Sequence, residues 1–168
     1  MRRAILLSLV VAVVVAVVVG GYVTCDEVRA WASLYNTDPE VPGSLLSALA
    51  YVESSYDPEA VNECSGAAGL FQFKEITVLD VTTRLKYPFD PMDPEAATVA
   101  AKIYLSWLMR VFGSNNTVLV LTAWHWGSGN TQKLVSGELS EVPYSTVWFL
   151  NKVFRRMSYE KDLAPSTK

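Results

Sequence analysis

Residues 4–23 read AILLSLVVAVVVAVVVGGYV without one charged side chain, which divides the chain into an apolar leader and a single folding unit behind it. About twenty consecutive apolar residues are enough for a helix to cross the hydrocarbon core of a bilayer. The run has neither a polar face nor capping residues, so it does not fit as one wall of a water-exposed core. Arg2 and Arg3 precede it, and positive charge ahead of an apolar span keeps that end in the cytoplasm and sends the rest of the chain outside. We therefore expect a signal-anchor over residues 1–24, one domain over 25–160 and a flexible tail over 161–168, with the domain on the external face of the cytoplasmic membrane. A cleavable signal peptide has a shorter apolar core and a small-residue cleavage site, so a retained single-pass anchor is the expectation. Export of a freed domain requires that the segment be cut.

The remainder is sized for one core. In 168 residues, of which 51% are hydrophobic and 18% charged, there is enough apolar side chain for one domain and hardly for two. Without Arg2 and Arg3, twelve basic residues face seventeen acidic ones, a formal charge of −5. That balance argues against nucleic acid as a partner, and Arg155-Arg156, the one concentrated positive pair in the domain, reads as a solvated helix end. One His, two distant Cys and no H-E-x-x-H do not assemble a zinc set. Neither a G-x-x-x-x-G-K loop nor a G-x-S-x-G elbow is present, so no metal or cofactor is expected. Cys25 and Cys64 make an even pair, which in an exported protein suggests one disulfide, with two free thiols as the alternative.

Pattern and punctuation predict a mainly helical domain. Residues 26–36 form a short amphipathic piece, broken by Pro39 and Pro42, and the next helix carries Glu53 and stops at Asp57-Pro58. Residues 62–73 read as an irregular loop or small strand turn in which Gly66 and Gly69 permit tight geometry. Residues 94–112 are expected as the longest helix after the anchor, with Val99, Ile103, Leu108 and Val111 as core positions and Gly113 as its stop. Residues 118–126 and 146–157 supply two more. Trp31, Trp107 and Trp148, at helical positions, are expected as core or surface-anchoring residues.

Within this frame Glu53 stands out. Leu45, Leu46, Leu49 and Val52 recur at helical spacing, and Glu53 falls four residues after Leu49, so its carboxyl points along the apolar face. Desolvation there disfavours the charged form and raises the pKa, the property a general acid needs near neutral pH. The alternative is a boundary residue with its head turned to water.

Glu53-Ser54, Tyr56-Asp57-Pro58, Ala60 and Gly66-x-x-Gly69-Leu70-Phe71-Gln72-Phe73 together resemble the signature of the lytic transglycosylases of the soluble-type, goose-lysozyme-like family. Asp90-Pro91, the segment carrying Ala101, Tyr104, Leu105 and Leu108, and residues 123–129 (AWHWGSG) are similar to that family's second and third motifs, and Pro143-Tyr144-Ser145-Thr146 with Lys152-Val153 is a weaker fourth match. The resemblance implies a single helical lysozyme-like domain, mainly α with some β (α+β), that cleaves the β-1,4 bond between N-acetylmuramic acid and N-acetylglucosamine in peptidoglycan glycan strands. It further implies Glu53 as the single acid and base, the muramoyl 6-hydroxyl as nucleophile and a 1,6-anhydro product. A hydrolytic muramidase using Asp57, Glu63 or Glu75 as second carboxylate, and a non-catalytic glycan-binding relative, are the competing readings.

The same resemblance implies a substrate groove lined by Ser54, Tyr56, Phe71, Gln72, Trp124, His125 and Trp126. Flat aromatic faces suit the apolar C–H faces of sugars, and a Gln amide offers both donor and acceptor. Two positions depart from the family pattern: His125 stands where asparagine is common, and Phe149 where a tyrosine lies near the catalytic carboxyl.

Overall fold

The computed structural model describes residues 21–163, so the apolar run up to Gly20 lies outside the described residues, as does the tail beyond Leu163. Among the described residues, no helix is long and apolar enough to cross a membrane. Seven α-helices and one two-stranded hairpin make up the described part of the chain.

α1 (Cys25–Ser33) opens on a capping box, in which Thr24 Oγ1 accepts from the Glu27 N–H at 3.2 Å and the Glu27 carboxylate accepts from the Thr24 N–H at 2.8 Å. Val23, just ahead of it, is buried in the core and donates its N–H to the Tyr56 carbonyl at 2.8 Å. Val23, which hydropathy alone assigns to the leader, thus packs with the core.

α2 (Gly43–Ser54) is the central element. Leu45, Leu46, Ala48, Leu49 and Ala50 are all buried because α1, α4 and α7 pack around it, which is why its sequence is apolar nearly all round. Left-handed Ser55 and Tyr56 end it (φ 57° and 68°), so the chain reverses ahead of Pro58 rather than at it. β1 (Val61–Asn62) then pairs antiparallel with β2 (Ala67–Ala68), and Ala68 bridges to Phe73, giving definite strand structure to a segment whose pattern left loop or strand turn open.

α3 (Glu75–Leu85) is not evident from periodicity, because Ile76 and Leu79 face water and only Val81 is fully buried. α4 (Pro94–Phe112) starts as expected, with Asp93 Oδ1 accepting from the N–H groups of Glu95 and Ala96 and Pro94 in the first turn, and it stops at Gly113. Val99 and Leu108 are buried, but Ile103 is only partly so and Val111 is exposed, since the inward face runs through Ala97, Ala101, Tyr104 and Leu105. Lys102 is buried too: its Nζ donates to the carbonyls of Ala32 (2.6 Å) and Tyr35 and pairs with Glu40, closing the end of α1.

α5 (Thr117–Trp126) and α6 (Ser128–Val135) meet at Gly127, whose φ of 95° turns the chain between them. α7 (Tyr144–Leu163) runs for 20 residues against 19 for α4, extending past its expected end and into the expected tail. Glu160 on its inner side is buried and accepts from Arg29 (2.8 Å), Arg156 (2.9 Å), Ser47 (2.9 Å) and Tyr56 (3.0 Å), locking α7 to α1 and α2. Trp31 and Trp107 pack partly buried against the core, whereas Trp148 is exposed.

The disulfide does not form. Cys25 lies half-buried at the start of α1 while Cys64 sits exposed in the hairpin turn, and both are free thiols.

Candidate active site

The C-terminal ends of α2 and α5 converge on a cleft of about 480 Å3. Glu53 from the last turn of α2 lies in it, Trp124, His125 and Trp126 from the last turn of α5 form one wall, and Phe71, Gln72 and Phe73 another. The first residues of α3 and the hairpin complete the rim with Lys74, Thr77, Asn62 and Ser65.

Glu53 is held by the indole of Trp124, whose Nε1–H donates to Oε1 at 2.8 Å. Burial among aromatic side chains pushes the carboxyl up from 4.5 to about 7. The Trp124 hydrogen bond and the positive charge of Lys74 pull the other way, because both favour the carboxylate. The group is thus half-protonated near neutral pH and has a donor ready for its ionised form.

Trp124 itself is wedged against Tyr104, Phe71 and Phe73, with ring centroids 5.7, 6.4 and 5.8 Å away. Its polar edge serves Glu53, so it acts as wall and orienting donor together. Phe71 is buried beneath the cleft and Trp126 is partly exposed along it. The Gln72 amide is already committed as a donor: Nε2 bonds the carbonyls of Ala60 (3.0 Å) and Gly69 (3.1 Å), which leaves its oxygen for a ligand. His125 lines the cleft, and its Nδ1 lies 3.0 Å from Thr146 Oγ1, with its ring 4.6 Å from that of Phe149. Desolvation in the cleft and the nearby Lys74 charge hold His125 below the usual histidine range.

Ser54 and Tyr56 are not among the cleft-lining side chains. The Ser54 hydroxyl reaches the carbonyls of Leu70 (2.9 Å) and Ala50 (3.1 Å), tying the end of α2 to the loop that carries Phe71. Tyr56 turns into the core, where its hydroxyl meets Ser47 (2.8 Å), Glu160 (3.0 Å) and Arg156 (3.1 Å). The left-handed backbone at Ser55 and Tyr56 turns the chain between Glu53 and this side chain.

Among the described residues lining the cleft, Glu53 is the sole carboxylate. Asp57 accepts from the Glu59 N–H as a turn residue, Glu63 is exposed at the hairpin, and Glu75 is exposed in the first turn of α3. Lys74, Tyr104 and Thr77 line the cleft without having been singled out as ligand contacts. Tyr104 does lie in a recognised motif, whereas Lys74 and Thr77 flank a helix start with no amphipathic signal.

The family model for the transglycosylase SLT domain matches residues 31–141. In fold, the chain is similar to the 70-kDa soluble lytic transglycosylase of Escherichia coli, with a TM-score of 0.69 and 24% identity over 82% of this chain and 24% of that one. The complex of the 70-kDa soluble lytic transglycosylase with bulgecin A superimposes with a TM-score of 0.71 at 22% identity, over the same shares of the two chains. An inactive glutamate-to-glutamine mutant of the lytic transglycosylase Slt from Pseudomonas aeruginosa gives a TM-score of 0.52 at 18% identity, over 81% of this chain and 21% of that one. The chain therefore spans about a quarter of the length of these proteins. No curated protein sequence is significantly similar to it.

Proposed function

The chain belongs to the transglycosylase SLT domain family, and from that premise we propose that it is a peptidoglycan lytic transglycosylase in which Glu53 serves first as acid and then as base. The observation that carries this reading is a lone carboxyl, pushed up to about 7, in a cleft whose described lining holds no second one. A hydrolase of the usual kind needs two carboxylates, one to protonate the leaving oxygen and one to activate water or attack the sugar. With one, the nucleophile has to come from the substrate.

Protonated Glu53 gives its proton to the glycosidic oxygen as the bond to the anomeric carbon of N-acetylmuramic acid breaks, and N-acetylglucosamine leaves with a free 4-hydroxyl. The resulting carboxylate keeps the Trp124 hydrogen bond and takes the proton of the muramoyl 6-hydroxyl as that oxygen closes on the anomeric carbon. The product is a 1,6-anhydro end, no water is consumed, and Glu53 is protonated again. Phe71, Trp124 and Trp126 supply apolar surface for the sugar rings, while the Gln72 oxygen and the free edge of His125 offer polar contacts at the rim.

The wider setting rests on the leader. With Val23 in the domain core, the anchored reading leaves about seventeen residues, 4–20, for a span, at the short end of the lengths that cross a bilayer as a helix. Arg2 and Arg3 favour the external side for the domain, within reach of the wall. Glu53→Gln keeps the shape of the side chain but has no proton to deliver. Clearing of peptidoglycan by that variant should fall to background with the far-UV circular dichroism unchanged; wild-type clearing would remove Glu53 from the mechanism.

A further inference from the structure

The outer face of α7 has no use in the proposed reaction, and its composition is unusual for a solvated helix. Tyr144, Trp148, Lys152, Arg155 and Tyr159 are all exposed and succeed one another at intervals of three and four residues, so they fall within an arc of about 80°. Lys152 Nζ lies 3.7 Å from the centre of the Trp148 ring. Among the described residues, neither Lys152 nor Arg155 forms an ion pair. Tyr51 on α2 extends the patch, with the Arg156 guanidinium 3.9 Å over its ring. Between the two helices lies a recess of about 550 Å3 with Lys152, Arg155 and Arg156 in its lining. Arg155 and Arg156, which the sequence alone presents as a solvated helix end, thus border an aromatic and cationic stripe visible only once the helix is wound.

The chain path says what covers this face. The Val23 N–H is fixed to the Tyr56 carbonyl, and the Tyr56 hydroxyl accepts from Arg156 Nη2 at 3.1 Å. Only Gly21 and Tyr22 separate Val23 from the end of the apolar run, a reach of about 10 Å at full extension. A run held in the bilayer therefore draws the Tyr56 end of α2, and the α7 stripe beside it, onto the membrane surface. Tyr and Trp favour the water–lipid boundary, and Lys and Arg are attracted to headgroup phosphates there. Tyr51 and Glu53 are two residues apart on α2, about 200° around the helix, so the same seating turns the cleft away from the lipid.

We propose that the Trp148–Lys152–Arg155–Tyr159 face of α7 docks on the anionic phospholipid surface of the membrane that holds the N-terminal run, which rests on the anchored reading given above and not on the reaction.

The test uses the full chain reconstituted in vesicles of phosphatidylcholine alone or mixed with phosphatidylglycerol, both carrying lipids brominated near the headgroup. Quenching of the Trp148 component is isolated by difference from Trp148→Phe. It should be at least about twofold stronger with phosphatidylglycerol, and should be lost in the Lys152→Glu, Arg155→Glu double variant and at about 0.5 M salt. That double variant should cleave soluble glycan fragments at the wild-type rate, which shows that it is folded. A Trp148 component unquenched in both vesicles, quenched equally in the double variant, or shielded by purified wall sacculi instead of lipid would overturn the docking. Flotation separates this from the anchor: a chain that stays with phosphatidylcholine vesicles at high salt is anchored whatever Trp148 reports. One that floats only with phosphatidylglycerol, and leaves in salt, refutes the anchor and with it the docking on the membrane that holds the run.

Discussion

A group that must hold a proton near neutral pH and then give it away needs an environment that penalises its charge without forbidding it. Glu53 has both halves of that environment: burial raises it to about 7, and the Trp124 donor, with Lys74, limits the rise. Activity should accordingly decline as pH climbs through about 7 and the acid form is lost. Trp124→Phe removes the donor but keeps most of the ring packing, and the alkaline limb should move to higher pH while kcat drops roughly tenfold, the worth of a charge-assisted hydrogen bond. A pH–rate profile in which that limb stays put or moves to lower pH would separate Trp124 from the acid. A second consequence concerns stability. Because the folded pKa lies above the ordinary 4.5, the protonated form is favoured in the native state; stability from this group is fully present below 4.5 and is lost as pH rises through 7. Glu53→Gln escapes that loss and should be more stable than wild type at pH 8, by up to about 3 kcal/mol, with the difference shrinking toward pH 4 in thermal melts. The placement of Glu53 was legible from its four-residue offset from Leu49, since helical periodicity is local. Its bond to Trp124 joins residues 71 apart and leaves no local trace. Tyr56 misled for a related reason, because two left-handed residues aim it into the core and nothing in the residue types Ser-Ser-Tyr announces that turn.

Among the elements, the hairpin and the loop after it hold the cleft's second wall at a fixed distance from α2. Ser54 ties that wall to the helix, and Gly69 seats it on the segment ahead of α4: a Cβ at Gly69 would lie 1.8 Å from the Pro91 carbonyl oxygen, and its φ of 76° is already one that side chains resist. This contact gives a physical reason for two separate sequence signals, the Gly69 motif and Asp90-Pro91. Gly69→Ala should therefore destabilise the domain by at least ~3 kcal/mol and lower activity through displacement of Phe71 and Gln72. Gly66→Ala, with the same left-handed demand but open space around it, should cost about 1 kcal/mol. Equal melting temperatures for the two variants would contradict the close approach. Elements with caps or glycine stops were legible, as α4 between Asp93 and Gly113 illustrates. α3 and α6 were not, because each buries a single residue completely and so carries hardly any periodic apolar pattern.

At the scale of the whole molecule, α2 is buried from Leu45 to Ala50 against α1, α4 and α7, and Glu53 in its last turn gains its position from that packing. The mainly helical class was open to reading from composition and periodicity, but the lysozyme-like arrangement was carried by motif resemblance, since helix packing angles are set by contacts far apart in the chain. Val23's place in the core was hidden for the opposite reason: it reads as the end of the apolar run, and its burial and its bond to Tyr56 come from contacts far along the chain. A cleft whose described lining holds Glu53 as its one carboxylate suits a reaction that needs no water. The direct test is mass spectrometry of purified peptidoglycan digested by the full chain, beside a Glu53→Gln control. Muropeptides ending in 1,6-anhydro-N-acetylmuramic acid, lighter by one water than their hydrolysed counterparts and absent from the control, are the expected result; a digest dominated by reducing ends would contradict single-carboxylate transglycosylation by this cleft.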